Sequence, residues 1–299
     1  MPGHFLTEYM EYQAHYFANN PYSIYGVLAD NVLHPFNEYL LLITDYGLTG
    51  FILLILVIMV LLNPAKLSSP YRLCLISLAI FSLFSYPLKY PFTWVIIAYC
   101  LAHICKEANY KSFCRFTIKP WGQYILTLTT TLCLFFLIKD IKFEYNWKKI
   151  AKYTLLGKTI ETIPKYEKLY ESWNGNHLFL YNYGAELNYI KDYAKSNDIF
   201  NKCIQHWNDY DIQILVADNY FNMEEWDKAL DHYKLAADMC PNRFIPLHQM
   251  HKIYVNKNEL DKALDMAKKI VTKKVKIPSE TVSSIVNDME KYIKENTSN

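Results

Sequence analysis

Residues 1–37 contain no Lys or Arg, and no basic stretch runs into an apolar core there. This end is therefore not expected to act as a signal peptide. The chain as a whole lacks a strong charge of either sign. A net charge of +2 supplies no basic stripe, which excludes nucleic acid as a partner. Also missing are a CxxC pair and any His/Cys group at metal-ligand spacing, so no zinc site, other metal or disulfide framework is expected. The seven cysteines (Cys74, Cys100, Cys105, Cys114, Cys133, Cys203 and Cys240) are odd in number. Five lie in or beside apolar runs, and all are read as free buried thiols. No cofactor is expected.

What is present is divided between two solvents. The mean hydropathy of −0.04 averages an apolar stretch over 39–138 with a charged one over 139–299. The first apolar run, Tyr39 to Leu62, would span roughly 36 Å as a helix at ~1.5 Å per residue, enough to cross a ~30 Å hydrocarbon core. Asn63-Pro64 ends it. Between Leu73 and Cys105 the chain is broken by Pro87, Lys89 and Pro91, which one helix does not pass comfortably. The pattern predicts a hairpin of two spans, 71–87 and 91–105. A fourth span, 121–138, opens with Pro120 and an interfacial Trp121. The predicted architecture is all-α: a polytopic membrane segment of about four spans (39–62, 71–87, 91–105, 121–138) between an extracytoplasmic loop (1–38) and a soluble domain (139–299).

Loop charge sets the orientation. Lys66, Arg72, Lys106, Lys111, Arg115 and Lys119 lie on one side and Lys89 on the other, so the six-charge side is placed in the cytoplasm. With four spans, both the first 37 residues and the tail face outward; with 73–105 as a single span the tail would be cytoplasmic. The expected location is a bacterial inner membrane, multi-pass, with the tail in the periplasm.

The tail repeats. Tyr220, Ala229, Tyr233, Ala236 and Pro241 have the spacing of the second half of a tetratricopeptide unit, and a step of 34 residues leads to Tyr254, Ala263, Ala267 and Ile270. Upstream, Gly184, Leu187, Phe200 and Cys203 fit with one residue fewer. Three helix–turn–helix units are predicted over 177–278, forming an α-solenoid with flanking helices near 147–172 and 279–295.

Chemistry is suggested at His34-Pro35-Phe36-Asn37-Glu38-Tyr39, followed by Gly47 and Gly50. Pro35 suits a first helical turn, which would make His34 the cap and put Glu38 one turn in. Free N–H groups at such an end attract anions such as phosphates, and a His beside them could exchange a proton. Asp45 falls near the same face, and an acidic group within a span is costly. Plainer readings stand beside these: Glu38 as a partner of the helix dipole, Asp45 in the headgroup layer, and His34 as an ordinary surface residue.

Asn37, Gly47 and Gly50 resemble the Asn-x9-Gly-x2-Gly signature of the O-antigen ligase and polymerase family. So do Gln13–Phe17, Leu28–Asn31 and Ser85–Leu88, taken with the repeat-bearing tail. The resemblance covers the C-terminal part of such a protein and implies glycosyl transfer from an undecaprenyl-diphosphate-linked glycan. The acceptor would be lipid A core, another glycan or a protein hydroxyl. The implied catalytic residues are His34, Asn37 and Glu38, with Phe36 standing where the family has its His. The family's diphosphate-binding arginines have no counterpart in 1–37, so the chain is expected to be a catalytically incomplete piece. The alternative is a membrane-anchored scaffold, without chemistry, whose repeats bind a protein partner. A transporter component fits less well, since the spans carry few charges and no inverted repeat.

Overall fold

The computed structural model describes residues 4–61, 69–107, 120–172 and 175–297. The described chain is helical with short turns and divides into two compact units, Met1–Phe5 with Leu33–Lys142 and Leu6–Val32 with Phe143–Asn299. The second unit thus takes in most of the stretch expected as a separate outer loop.

In the first unit, α2 (Glu38–Leu61) is broken at Gly47, whose φ of 56° and ψ of −137° lie outside the helical region. Only glycine adopts this conformation without strain. A side chain at Gly50 would place its Cβ 2.4 Å from the Leu42 carbonyl oxygen, so the break also dictates that second glycine. The helix expected over 39–62 is therefore present with a kink at Gly47. Next come α3 (Pro70–Phe81) and α4 (Pro91–Glu107), joined through a 3-10 turn at Pro87–Lys89. Helix α3 stops short of the predicted residue 87. The Ser82 N–H and hydroxyl both donate to the Leu78 carbonyl at 2.9 Å, which closes the last turn. Leu75 packs with Cys100 and Ile104, so α3 and α4 pack against each other. At 12 residues α3 is about 18 Å long.

Helix α5 (Pro120–Thr154) contributes to both units. Within its apolar stretch, Thr127, Thr130 and Thr131 donate their hydroxyls to carbonyls four residues back, at 2.7–2.8 Å. This satisfies the only side-chain polar groups between Ile125 and Ile138 apart from Thr129, which does the same to Ile125. Among the described residues two helices are long and apolar enough to cross a membrane, Glu38–Met59 and Trp121–Thr154, and their apolar windows are 6% and 0% buried. The loop charges Lys66, Lys111, Arg115 and Lys119, Cys114, and the Asn63-Pro64 stop all lie outside the described residues.

The second unit is a solenoid of three helix pairs, α7/α8 (His177–Tyr189, Tyr193–Ile204), α9/α10 (Tyr210–Asn222, Trp226–Met239) and α11/α12 (Ile245–Asn256, Leu260–Thr272). It is flanked by α6 (Thr159–Ser172) and α13 (Glu280–Thr297). The predicted periodic positions are its core: Ala229, Tyr233, Ala236, Ala263, Ala267 and Ile270 are all 0% exposed. Small residues let paired helices approach, and Gly184 lies directly under the buried Phe200 ring. Each pair turns through one left-handed residue, Lys191, Glu224 or Asn258, at φ 68°, 61° and 59°. Behind each, the N–H of Asp192, Glu225 or Glu259 donates five residues back to Leu187, Tyr220 or Tyr254 at 2.8–2.9 Å. That is a Schellman-type closure repeated three times. A buried polar chain links the first two pairs. Asn188 donates to Asn219, whose amide donates to Ser196 and Asn197, at 2.7–2.8 Å.

Residues 6–32 belong to this unit. Met10 and Ala14 of α1 (His4–Asn19) share a buried cluster with Tyr210, Ala236, Met239 and Cys240. Polar contacts fix the segment further. The Gln13 amide donates to the Met239 carbonyl at 2.6 Å, Asn208 donates to Glu11 at 2.7 Å, and Arg243 pairs with Asp30 at 2.8 Å.

Candidate functional site

The residues singled out by sequence meet in the first unit, where the loop before α2 touches the loop before α4. Asn37, not His34, caps α2: its side-chain oxygen accepts from the Tyr39 and Leu40 N–H groups at 2.9 and 3.0 Å, and its amide donates to the Leu83 carbonyl at 3.1 Å. Phe36, at φ 50°, supplies the turn into that cap. Glu38 is therefore the first helical residue. It is nearly buried, its carboxylate accepts the Leu88 N–H at 2.8 Å, and its own N–H donates to the Ser82 carbonyl at 3.0 Å.

His34 finds a partner that sequence separation concealed. The Lys89 ammonium lies 2.6 Å from its Nε2, and Tyr86 packs against its ring at 5.3 Å. Partial burial and the Lys89 charge both lower the His34 pKa, and since an ammonium can only donate, Nε2 is the acceptor in this contact. Asp45 accepts the Phe5 N–H at 3.2 Å. Gly47 and Gly50 serve the break in α2. No atom comes within 4 Å of a Cβ at Gly47, and the close neighbours of Gly50 belong to its own helix.

A second constellation, not anticipated from sequence, crosses the repeats. The first helices of the three pairs line a cleft of about 450 Å³: Asn188 and Tyr189 from α7, Phe221 and Asn222 from α9, Gln249 and Lys252 from α11. Asn188 and Asn222 stand one repeat apart, so the solenoid presents them on the same face. Tyr189 is 70% exposed. On the cleft wall, Asp218 accepts from the Tyr233 hydroxyl, which ties α9 to α10. Burial raises the Asp218 pKa, against the lowering effects of Tyr233 and Lys252. The signal that could have found this cleft is the 34-residue step applied to the exposed amides as well as to the core. Among the described residues no group of three His, Cys, Asp or Glu side chains could hold a metal.

No protein-family model matches the chain, and no curated protein matches it. Solved structures do. Residues 41 to the end of MamA from Desulfovibrio magneticus RS-1 align at TM-score 0.42 and 16% identity, covering 49% of this chain and 76% of that one. YrrB, titled a TPR protein with an unusual peptide-binding site, aligns at TM-score 0.38 and 15% identity, covering 50% and 84%. A putative kinesin light chain from Podospora anserina with nearly identical TPR-like repeats aligns at TM-score 0.41 and 10% identity, covering 52% and 89%.

These findings correct the resemblance to the O-antigen ligase and polymerase family. No family model supports the match, and two of the aligned solved structures are titled as TPR or TPR-like proteins. Glycosyl transfer, the lipid-linked glycan donor and a role in lipopolysaccharide or other polysaccharide synthesis fall with it. The residues that suggested the signature have local causes: a helix cap at Asn37, a helix break at Gly47, and a backbone approach at Gly50.

Proposed function

We propose that this chain is a membrane-anchored tetratricopeptide-type scaffold that holds a peptide segment of a partner protein and performs no chemistry of its own. The observation that carries this reading is the cleft across α7, α9 and α11, where amides and aromatic faces share one surface with Lys191, Asp218 and Lys252. Side-chain amides both donate to and accept from an extended backbone, while aromatic rings supply area with little rotamer entropy to lose.

Two features support the anchor. The apolar windows of α2 and α5 are left almost wholly uncovered, a condition that hydrocarbon relieves and water does not. Residues 6–32 and the repeats form one packed body, so both lie on the same side of any membrane. Residues 33–142 would then cross it an even number of times, as two long spans with a re-entrant α3–α4 hairpin or as four. An odd count would tear Met10 and Ala14 from their cluster.

A photoreactive phenylalanine analogue at Tyr189 in the full chain, irradiated in its native membranes, should give one discrete protein adduct. The same analogue at the exposed Lys234, on α10, should give none, and Asn222→Ala with Lys252→Ala should remove the Tyr189 adduct. Equal adducts from both positions, or none from Tyr189, would refute the groove.

A further inference from the structure

The end of α5 and the middle of α6 enclose a second cleft, of about 440 Å³, with Ile150 and Leu169 among its walls. Lys149, Lys165 and Lys168 line it together with Tyr153, and no carboxylate does. Among the described residues none of the three ammonium groups is in an ion pair. Lys165 leans over the Tyr153 ring at 5.4 Å, and the adjacent Glu167 is occupied by Lys195 at 2.6 Å. The three ammonium groups line one concavity whose described walls supply no carboxylate counter-charge. An anion with several acceptor oxygens can meet all three, and lysines are well suited to phosphate as point charges.

We propose that the α5–α6 cleft binds a phosphate group, with Lys149, Lys165 and Lys168 as its cations. Two sources share this chemistry, an anionic lipid headgroup and a free phosphate. The lipid source rests on the membrane reading above: the cleft lies in the stretch of chain that follows the apolar run 121–138, where basic residues meet headgroups. The free-phosphate source does not depend on it.

The test is lysine acetylation of the full chain, read residue by residue by mass spectrometry, with exposed Lys234 as internal reference. The protein is placed in discs of phosphatidylcholine, with or without inorganic phosphate, and in discs of equimolar phosphatidylcholine and phosphatidylglycerol. At a probe level ~10 times its Kd, mass action leaves roughly a tenth of the sites open, so acetylation of all three lysines should slow about tenfold. Protection by phosphatidylglycerol alone assigns a lipid headgroup; protection by inorganic phosphate assigns a free phosphate. In Lys165→Gln/Lys168→Gln the protection of Lys149 should vanish. No protection by either probe, equal slowing at Lys234, or unchanged Lys149 protection in the double variant would overturn the site. A chain that does not enter discs overturns the membrane reading instead, and the phosphate arm is then read in solution.

Discussion

Gly184→Ala puts the packing of the first repeat to a quantitative test. In an ordinary helix this change stabilises by about 1 kcal/mol, because alanine loses less backbone freedom on folding. Here the added Cβ would lie 2.8, 2.9 and 3.0 Å from three atoms of the Phe200 ring. That ring is fully buried, with Tyr181 beside it at 6.3 Å between centroids, so it has little room to retreat. Overpacking of this kind costs about 1–3 kcal/mol, which outweighs the propensity gain and leaves a net loss of roughly 1 kcal/mol. Replacing Phe200 by Leu removes the obstructing ring atoms. In that background Gly184→Ala should reverse sign and stabilise, giving a coupling of about 2 kcal/mol between two residues in contact. Hydrogen exchange of the α7 and α8 amides in the full chain reads this repeat without averaging over the others. Greater protection in the single Gly184→Ala variant, or the same change in both backgrounds, would refute the contact.

Three further outcomes are expected. Residues 143–299 expressed alone should be helical, and a peptide of residues 4–32 added in trans should raise their thermal midpoint, whereas the same peptide with Met10→Asp should not, since Met10 is 2% exposed in the shared cluster. Reporter domains fused before residue 4 and after residue 299 of the full chain should give the same compartment readout, and opposite readouts would exclude an even number of crossings. Burial, and secondarily His248 and Lys252, lower the His251 pKa to about 4, and neither ring nitrogen has a hydrogen-bond partner among the described residues. A depressed histidine binds its proton more readily when unfolded, so its stabilising effect is complete above pH ~6.5 and fades as pH falls toward 4. His251→Phe, which keeps the edge-to-face packing on Tyr292, should flatten the stability profile over that window, and an unchanged slope would remove His251 as a cause.

The repeats were legible because their signal is a period of small and large residues that the core enforces. Ala229 and Ala263 recur at one step because each sits where two helices touch, and a larger side chain has no space there. The turns between the helices were not legible. Lys191, Glu224 and Asn258 adopt a left-handed conformation usually given to glycine, and only Asn258 is of a type that favours it. The docking of residues 6–32 was also hidden, because Gln13 and Met239 are joined across 226 residues of chain. Loop charge by itself does not decide the orientation. Counting Lys89 against the six basic residues of the other loops omits Lys139, Lys142, Lys148, Lys149 and Lys152, which follow the last apolar run directly. Those five bring the two sides level and leave shared packing as the stronger guide to topology.

The apparent transferase signature shows how backbone geometry can imitate a catalytic motif. A short polar residue before an apolar helix is what an N-cap requires, and Asn37 meets it with two accepted N–H bonds. A glycine ten residues on is what a left-handed break requires, and Gly47 meets it. A second glycine one turn later is what the folded-back carbonyl of Leu42 requires, since any Cβ at position 50 would collide with it. Each demand is local, and together they fix the spacing of Asn37, Gly47 and Gly50 without reference to a substrate. The Lys89–His34 contact and the Glu38–Leu88 bond then tie the α2 start to the 3-10 turn before α4. Conversely, the cleft across α7, α9 and α11 needs no rare residue type, only ordinary amides, aromatics and charges, of which Asn188 and Asn222 recur at the solenoid's own step.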